Sequence, residues 1–294
     1  VKLIVSDLDG TLLNSRREVS KVNAAALLAA QRRGIEIAVA TGRIYGNALA
    51  VCRRAGLTPH IISNNGAFVY TKDGRLIQAA GLDKKKALQA VEWLQGNGYF
   101  YDVCTDRHMF IPPNAREVLL QDFESAAAAG TIERELTAET ARQEINRLLS
   151  ADGVVFAEPF EAIWRQQDLI FGNVSAITFN REKLQRGRDF FGKYEGMAMT
   201  IAGREIFEMI APAVSKGNAL EKLAAYLGIG LSEVMAFGDN YNDISMLSRV
   251  GISVAIGNAE EAVKKICRYI APANDADGVA HMIDTLLAGV KMPS

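Results

Sequence analysis

Four short polar stretches in this 294-residue chain hold the residue types that do chemistry on charged oxygen compounds, each just after an apolar run. They are Asp7–Leu8–Asp9–Gly10–Thr11, Ala40–Thr41–Gly42–Arg43, Ser215–Lys216–Gly217 and Gly238–Asp239–Asn240–Tyr241–Asn242–Asp243. Asp7 and Asp9 stand two apart, a spacing that points both the same way in a strand. Where the strand ends, Gly10 lets the chain turn and aim them differently. Two acids with no basic neighbour repel each other in a partly desolvated loop, which calls for a bound cation or a shared proton. Alone, the stretch also reads as a turn whose Asp residues cap the backbone, with Thr11 in support. Asp239 and Asp243 shift that balance, with Asn240 and Asn242 supplying neutral oxygens between them. Two carboxylate clusters free of His and Cys have the ligand chemistry of Mg²⁺, which prefers a few carboxylates, water and substrate phosphate.

A phosphate held near such acids needs donors and positive charge. Thr41 follows Val39–Ala40 at a strand end, where its hydroxyl and the Gly42 N–H can meet a phosphate oxygen at a helix N-terminus. Lys216 opens a helix, a place electrostatically unfavourable for a cation unless it faces an anion. Arg43 either grips substrate or pairs with an acid of the loops. Asn65–Gly66 either contacts substrate or forms a turn. His60, His108 and His281 are scattered and form no ligand set, and Tyr101, Trp164 and the Phe residues of the middle segment read as core.

The elements that must position these residues follow a βαβ rhythm. Val1–Ser6, Ile35–Ala40 and His60–Ser63 read as buried strands, with helices from Ser20 to about Arg33 and from about Ile44 to Ala55 between them. Right-handed crossovers place the helices on both faces of a parallel sheet and the polar loops beyond the strands' carboxyl ends. After Asn65 the rhythm changes to a small hairpin and then to short aromatic-rich strands mixed with helices. This predicts an inserted α+β domain with an antiparallel sheet at 83–211, between core parts 1–82 and 212–294. The parallel rhythm returns with a helix from Lys216, strands at Glu233–Phe237 and Gly251–Ile256, a helix from Glu260 and a short edge strand at Tyr269–Ala271.

Composition narrows the partners. Lys plus Arg total 33 against 34 Asp plus Glu, and with a net charge of -1 nothing asks for a nucleic-acid backbone. No stretch approaches the ~20 apolar residues of a membrane span. Cys52, Cys104 and Cys267 are odd in number and far apart, so neither a disulfide framework nor a metal site is expected. With no basic leader or cleavage pattern ahead of the first strand, the cytoplasm is the expected location.

The four stretches, in this order, resemble the four motifs of haloacid dehalogenase-type hydrolases, and most closely the Cof-type sugar-phosphatase-like branch with its large α/β cap. The resemblance runs from Asp7 to Asp243 and implies a Rossmann-like core, a cap in the inserted segment and a Mg²⁺-dependent phosphatase acting on a small phosphorylated metabolite. It implies that Asp7 is the nucleophile that forms an aspartyl-phosphate, and that Asp9 is general acid and then base. Mg²⁺ is then held by the Asp7 carboxylate, the Asp9 carbonyl and Asp239. Asn242 and Asp243 support it, Asp243 acting through water or by orienting Lys216. Thr41 and Lys216 bind the transferring phosphoryl group, with Gly42, Arg43 and Asn65 nearby. A phosphomutase of the same chemistry and a non-catalytic phosphometabolite-binding protein are the alternatives. Neither substrate identity nor oligomeric state is written in a motif.

Overall fold

The computed structural model describes residues 1–132 and 136–289. The chain forms two compact units, Val1–Ala79 with Ala213–Ser294, and Ala80–Pro212.

The first unit begins with β1 (Leu3–Ser6), α1 (Lys21–Arg32), β2 (Glu36–Ala40), α2 (Tyr45–Arg54), β3 (His60–Ser63), β4 (Phe68–Tyr70) and β5 (Leu76–Ala79). The second unit contributes α3 (Lys84–Gly96), β6 (Phe100–Thr105), β7 (Met109–Ile111), α4 (Ala115–Ala129), α5 (Ala138–Leu149), β8 (Val154–Phe156), β9 (Phe171–Ile177), α6 (Arg181–Phe191), β10 (Ala198–Gly203) and β11 (Ile206–Ile210). The chain then returns through α7 (Lys216–Leu227), β12 (Val234–Gly238), α8 (Ile244–Leu247), β13 (Ile252–Ala255), α9 (Glu261–Ile266), β14 (Tyr269–Ile270) and α10 (Gly278–Leu287).

The core sheet runs β14-β13-β12-β1-β2-β3-β4-β5, parallel up to β3 and antiparallel from β3 through β5. Its strands are apolar on both sides because both sides are covered. Ile4, Ile37, Val39, Ile61 and Phe237 pack against α1, α2 and α10. Leu3, Val5, Ala38, Ala40 and Ala236 pack against α7, α8 and α9. The chain grows from β1 to β2 and β3 on one side and later to β12, β13 and β14 on the other. Successive loops therefore diverge at the carboxyl end of β1, the crevice where open α/β sheets bind ligands.

The second unit is a six-stranded sheet, β10-β11-β9-β6-β7-β8. Tyr101, Val103, Val174, Ala176, Phe207 and Met209 line one face with α3 and α6. Phe100 and Ile177 on the other face are covered by α4 and α5. Leu82, just ahead of α3, belongs with this sheet, its N–H donating to the Phe171 carbonyl at 2.6 Å. The expected α/β core and α+β insertion are both present. One departure is the parallel pair β7–β8, which arises because α4 and α5 form a long crossover between them.

Sequence patterning misses α6, β11 and α10. In α6 only Leu184, Gly187 and Phe191 are buried, so charged residues mask its period. Val22, the first apolar residue of α1, is 53% exposed. Asn23 takes the inward place instead, accepting the Ala280 N–H at 2.9 Å. No helix among the described residues is long and apolar enough to cross a membrane.

Candidate active site

Asp7 directly follows β1, and its N–H donates to the Phe237 carbonyl of β12 at 3.0 Å. That bond holds it at the sheet's edge, between the ends of β12 and β2. Its Oδ1 accepts from Lys216 Nζ at 2.6 Å. Lys216 is 1% exposed and also donates to Asp243 Oδ1 at 2.7 Å. The helix places it there: Ser215 caps α7 by accepting the Asn218 N–H at 3.1 Å, so the next residue starts the first turn pointing back at the strand ends.

Asp243 is fully buried. Its second oxygen accepts the N–H groups of Asp239 at 2.9 Å and Asn240 at 3.1 Å. This carboxylate tucks under the end of β12 only because Gly238 has no side chain, since a Cβ there would stand 2.6 Å from Asp243. Asp239 Oδ1 accepts from Thr11 Oγ1 at 2.6 Å. Gly10 is required twice over: its φ is +85°, and a Cβ would stand 2.4 Å from Asp239 Oδ2.

Ligand oxygens of Asp7, Asp239 and Asp243 lie within 4.8 Å of one another. Three carboxylates against one ammonium leave a buried excess of negative charge. Burial raises Asp7 well above the ordinary carboxylate range and, although Lys216 opposes it, Asp243 and Asp239 add to the rise. Burial and then Asp243 push Asp239 up to about 6. Burial alone would lower Lys216, but Asp243 and Asp7 outweigh it and raise it. A divalent cation removes this excess, and an all-oxygen donor set suits a hard one such as Mg²⁺. Among the described residues no group donates to Oδ2 of Asp7 or Asp239. Asp243 differs, since both its oxygens are already engaged by Lys216 and by backbone N–H groups.

On the other side of Asp7, Thr41 is buried and its Oγ1 accepts the Arg43 N–H at 3.1 Å, leaving the hydroxyl hydrogen to be donated. The Asn65 side chain lies beside Gly42, 3.3 Å from where a Cβ would stand, and its Oδ1 accepts from Asn242 Nδ2 at 3.0 Å. Asn64 and Asn65 have φ of 48° and 55°. Asparagine tolerates that left-handed conformation better than most residues, which lets the loop after β3 turn tightly here. Arg43 turns to Asp9, binding Oδ2 through Nε at 2.7 Å and Oδ1 through Nη2 at 2.6 Å. Burial would raise Asp9, yet Arg43, with Arg17 and Lys216 further off, holds it below the usual carboxylate range.

The four stretches therefore meet at one sheet edge. Asn240 stands apart as a local cap, accepting the Tyr241 N–H at 2.7 Å. His60 lies at the opposite end of β3, bonded to Glu36 at 3.2 Å, and His108 sits in the turn between β6 and β7. Sequence reading gives Thr11 only a supporting place in its turn and misses Asn258. Thr11 fixes Asp239, and Asn258 donates to the Gly10 carbonyl at 2.8 Å. A signal existed for Asn258, because it lies in the loop after β13, next to the strand whose loop carries Asp239.

A family model described as haloacid dehalogenase-like hydrolase matches residues 4–283. Phosphatase YwpJ of Bacillus subtilis (strain 168) is 37% identical over 288 residues, 98% of this chain and 100% of that protein. The 5-amino-6-(5-phospho-D-ribitylamino)uracil phosphatase YwtE of the same organism is 28% identical over 289 residues, 98% of this chain and 99% of that protein. A solved haloacid dehalogenase-like hydrolase from B. subtilis superposes with a TM-score of 0.83 at 36% identity, covering 97% of this chain and 100% of that one.

Proposed function

The chain belongs to the haloacid dehalogenase-like hydrolases, and we propose that it is a Mg²⁺-dependent phosphatase hydrolysing phosphomonoesters of small metabolites through an aspartyl-phosphate on Asp7. The observation that carries this reading is Asp7 itself: one oxygen is fixed by a buried lysine, and the other takes no hydrogen bond from the described residues. The names of YwpJ and YwtE, both phosphatases, support the reaction class. YwtE is named for a phosphorylated ribityl compound, which supports a sugar phosphate or a phosphorylated cofactor as the substrate class.

In this reading Asp7 attacks phosphorus, and Asp9, which must first take up a proton against the pull of Arg43, passes it to the leaving ester oxygen. The Thr41 hydroxyl and the Gly42 N–H donate to the phosphoryl oxygens. Lys216 opposes the charge that Asp7 and the phosphoryl group bring together. Asp243 aims Lys216 rather than binding metal, because its oxygens are engaged. Asn242 fixes Asn65 at the rim beside Gly42. The carboxylates of Asp7 and Asp239 with the Asp9 carbonyl would hold Mg²⁺, which supplies charge neutralisation for nucleophile and phosphate. The unit Ala80–Pro212 is assigned as the inserted cap.

The test is phosphate release from a panel of sugar phosphates and phosphorylated cofactors, with Mg²⁺ and with chelator. Parent protein releases phosphate only with Mg²⁺, and Asp7→Asn releases none. Equal rates for the two proteins would sink the reading, and isomerised sugar phosphate with little free phosphate would replace it with a mutase.

A further inference from the structure

Building on the phosphatase reading, we propose that Arg43 is a positioning residue that works through Asp9, fixing the carboxylate that takes a proton from water when the aspartyl-phosphate is hydrolysed. In that half-reaction the water oxygen bonds to phosphorus and the bond from phosphorus to the Asp7 oxygen breaks. Asp7 recovers its carboxylate, the water proton passes to Asp9, and inorganic phosphate departs.

Asp9 is poorly placed to do this unaided. It sits in a loop just before Gly10, its side chain is 47% exposed, and a short exposed carboxylate samples several rotamers. Arg43 removes that freedom. Nε and Nη2 bind the two carboxylate oxygens side-on, a fork that fixes direction as well as distance. The arginine is itself tied down at three further points. Its Nη1 donates to Asn47 Oδ1 on α2 at 2.8 Å. Its N–H donates to Thr41 Oγ1 at 3.1 Å, and its carbonyl accepts the Asn64 N–H at 3.0 Å. Asp9 thus inherits its position from α2 and from the loops after β2 and β3, although it belongs to none of them. Gripping a phosphate with the same edge of the guanidinium would require Asp9 to leave, so the two tasks exclude each other.

The test uses rapid mixing of the full chain with Mg²⁺ and p-nitrophenyl phosphate, whose leaving group departs without an acid. For Arg43→Ala, first-turnover release of nitrophenolate stays within about threefold of the parent, while the steady-state rate falls roughly ten- to hundredfold. KM falls together with kcat because phosphorylated enzyme accumulates. Arg43→Lys, which keeps the charge but not the fork, recovers part of the slow phase. A raised KM without a burst overturns the proposal in favour of phosphate gripping. First turnover and steady state falling together overturn it in favour of a structural role. Should Arg43→Ala not fold, Arg43→Lys decides: a slowed second phase supports the proposal, and parent-like kinetics or a raised KM overturns it. A parent protein inactive on every ester overturns the phosphatase reading and this one with it, whereas an active parent isolates the role of Arg43.

Discussion

Each unit of this chain buries a set of acids, and the two sets are held in opposite ways. Asp7, Asp239 and Asp243 stand on loops beyond parallel strands and face the ammonium of Lys216. Asp102 of β6 and Glu208 of β11 stand inside strands, in register with Ser175 of β9 between them. Asp102 accepts the Cys104 thiol at 3.4 Å and the Ser175 hydroxyl, and Asn173 Nδ2 donates to Ser175 Oγ at 3.0 Å. The contrast follows from the backbone. Past a strand end, N–H groups such as those of Asp239 and Asn240 are free to stabilise a carboxylate. Inside a strand the ladder consumes them, so Asp102 finds hydroxyl and thiol donors. The core set is held by a lysine and backbone N–H groups, the inserted row by hydroxyl and thiol donors.

The largest effect that can test this contrast is on turnover. Asp7→Asn removes the nucleophile, and phosphate release with Mg²⁺ should fall by at least about 10⁴-fold. A loss of that size from Asp102→Asn would break the comparison, because it would make the inserted row part of the chemistry.

Next comes Lys216→Met, which leaves the carboxylates of Asp7, Asp239 and Asp243 without their cation. Destabilisation of about 3–5 kcal/mol is expected from breaking a buried pair on one side, measured by urea unfolding in chelator. Mg²⁺ should restore part of that loss through its preference for the folded state, whereas a Mg²⁺-independent loss would assign Lys216 to packing alone.

The inserted row is sharpened by pH. Burial carries Asp102 up to about 6, against about 4 in an unfolded chain. A folded pKa above the unfolded one contributes stability that is full below about pH 4 and is lost as pH rises through 6, about 3 kcal/mol in all. Asp102→Asn is neutral throughout. The stability of that variant relative to the parent should therefore rise by about 3 kcal/mol between pH 4 and pH 7 in paired urea titrations. A flat difference would mean that Asp102 titrates in the fold as it does in the unfolded chain.

The same contrast explains what was legible in the sequence. The core residues follow apolar runs at strand ends or, for Lys216, open a helix, so Asp7, Asp9, Thr41, Lys216 and Asp239 stand out from their surroundings, and the alternation of β1 to β3 with α1 and α2 locates the edge where they gather. Asp102, Ser175 and Glu208 occupy alternate strand positions, which polar residues fill routinely on solvated sheets, and only the register across β6, β9 and β11 turns them into a buried row. The choice for Arg43 between substrate and a loop acid was open for a related reason. Residue types show that a guanidinium is near the site, but its partner depends on side-chain direction. Thr11 read as turn support because a hydroxyl after Gly10 fits a turn, and its bond to Asp239 spans 228 residues.

The smallest expected effect isolates one bond in each set. Thr11→Val keeps the shape of the side chain and removes the hydroxyl that donates to Asp239. Losing one charge-assisted bond of this kind costs about 1.5–3 kcal/mol. If Asp239 binds Mg²⁺, its orientation should loosen, and the Mg²⁺ concentration for half-maximal phosphate release should rise about tenfold with little change in kcat at saturation. Ser175→Ala removes the corresponding donor from Asp102. It should lower stability by about 1 kcal/mol, read by urea unfolding, and leave the Mg²⁺ requirement where it was. If both variants shifted the Mg²⁺ requirement equally, the two sets would act as one functional unit and the division between them would fail.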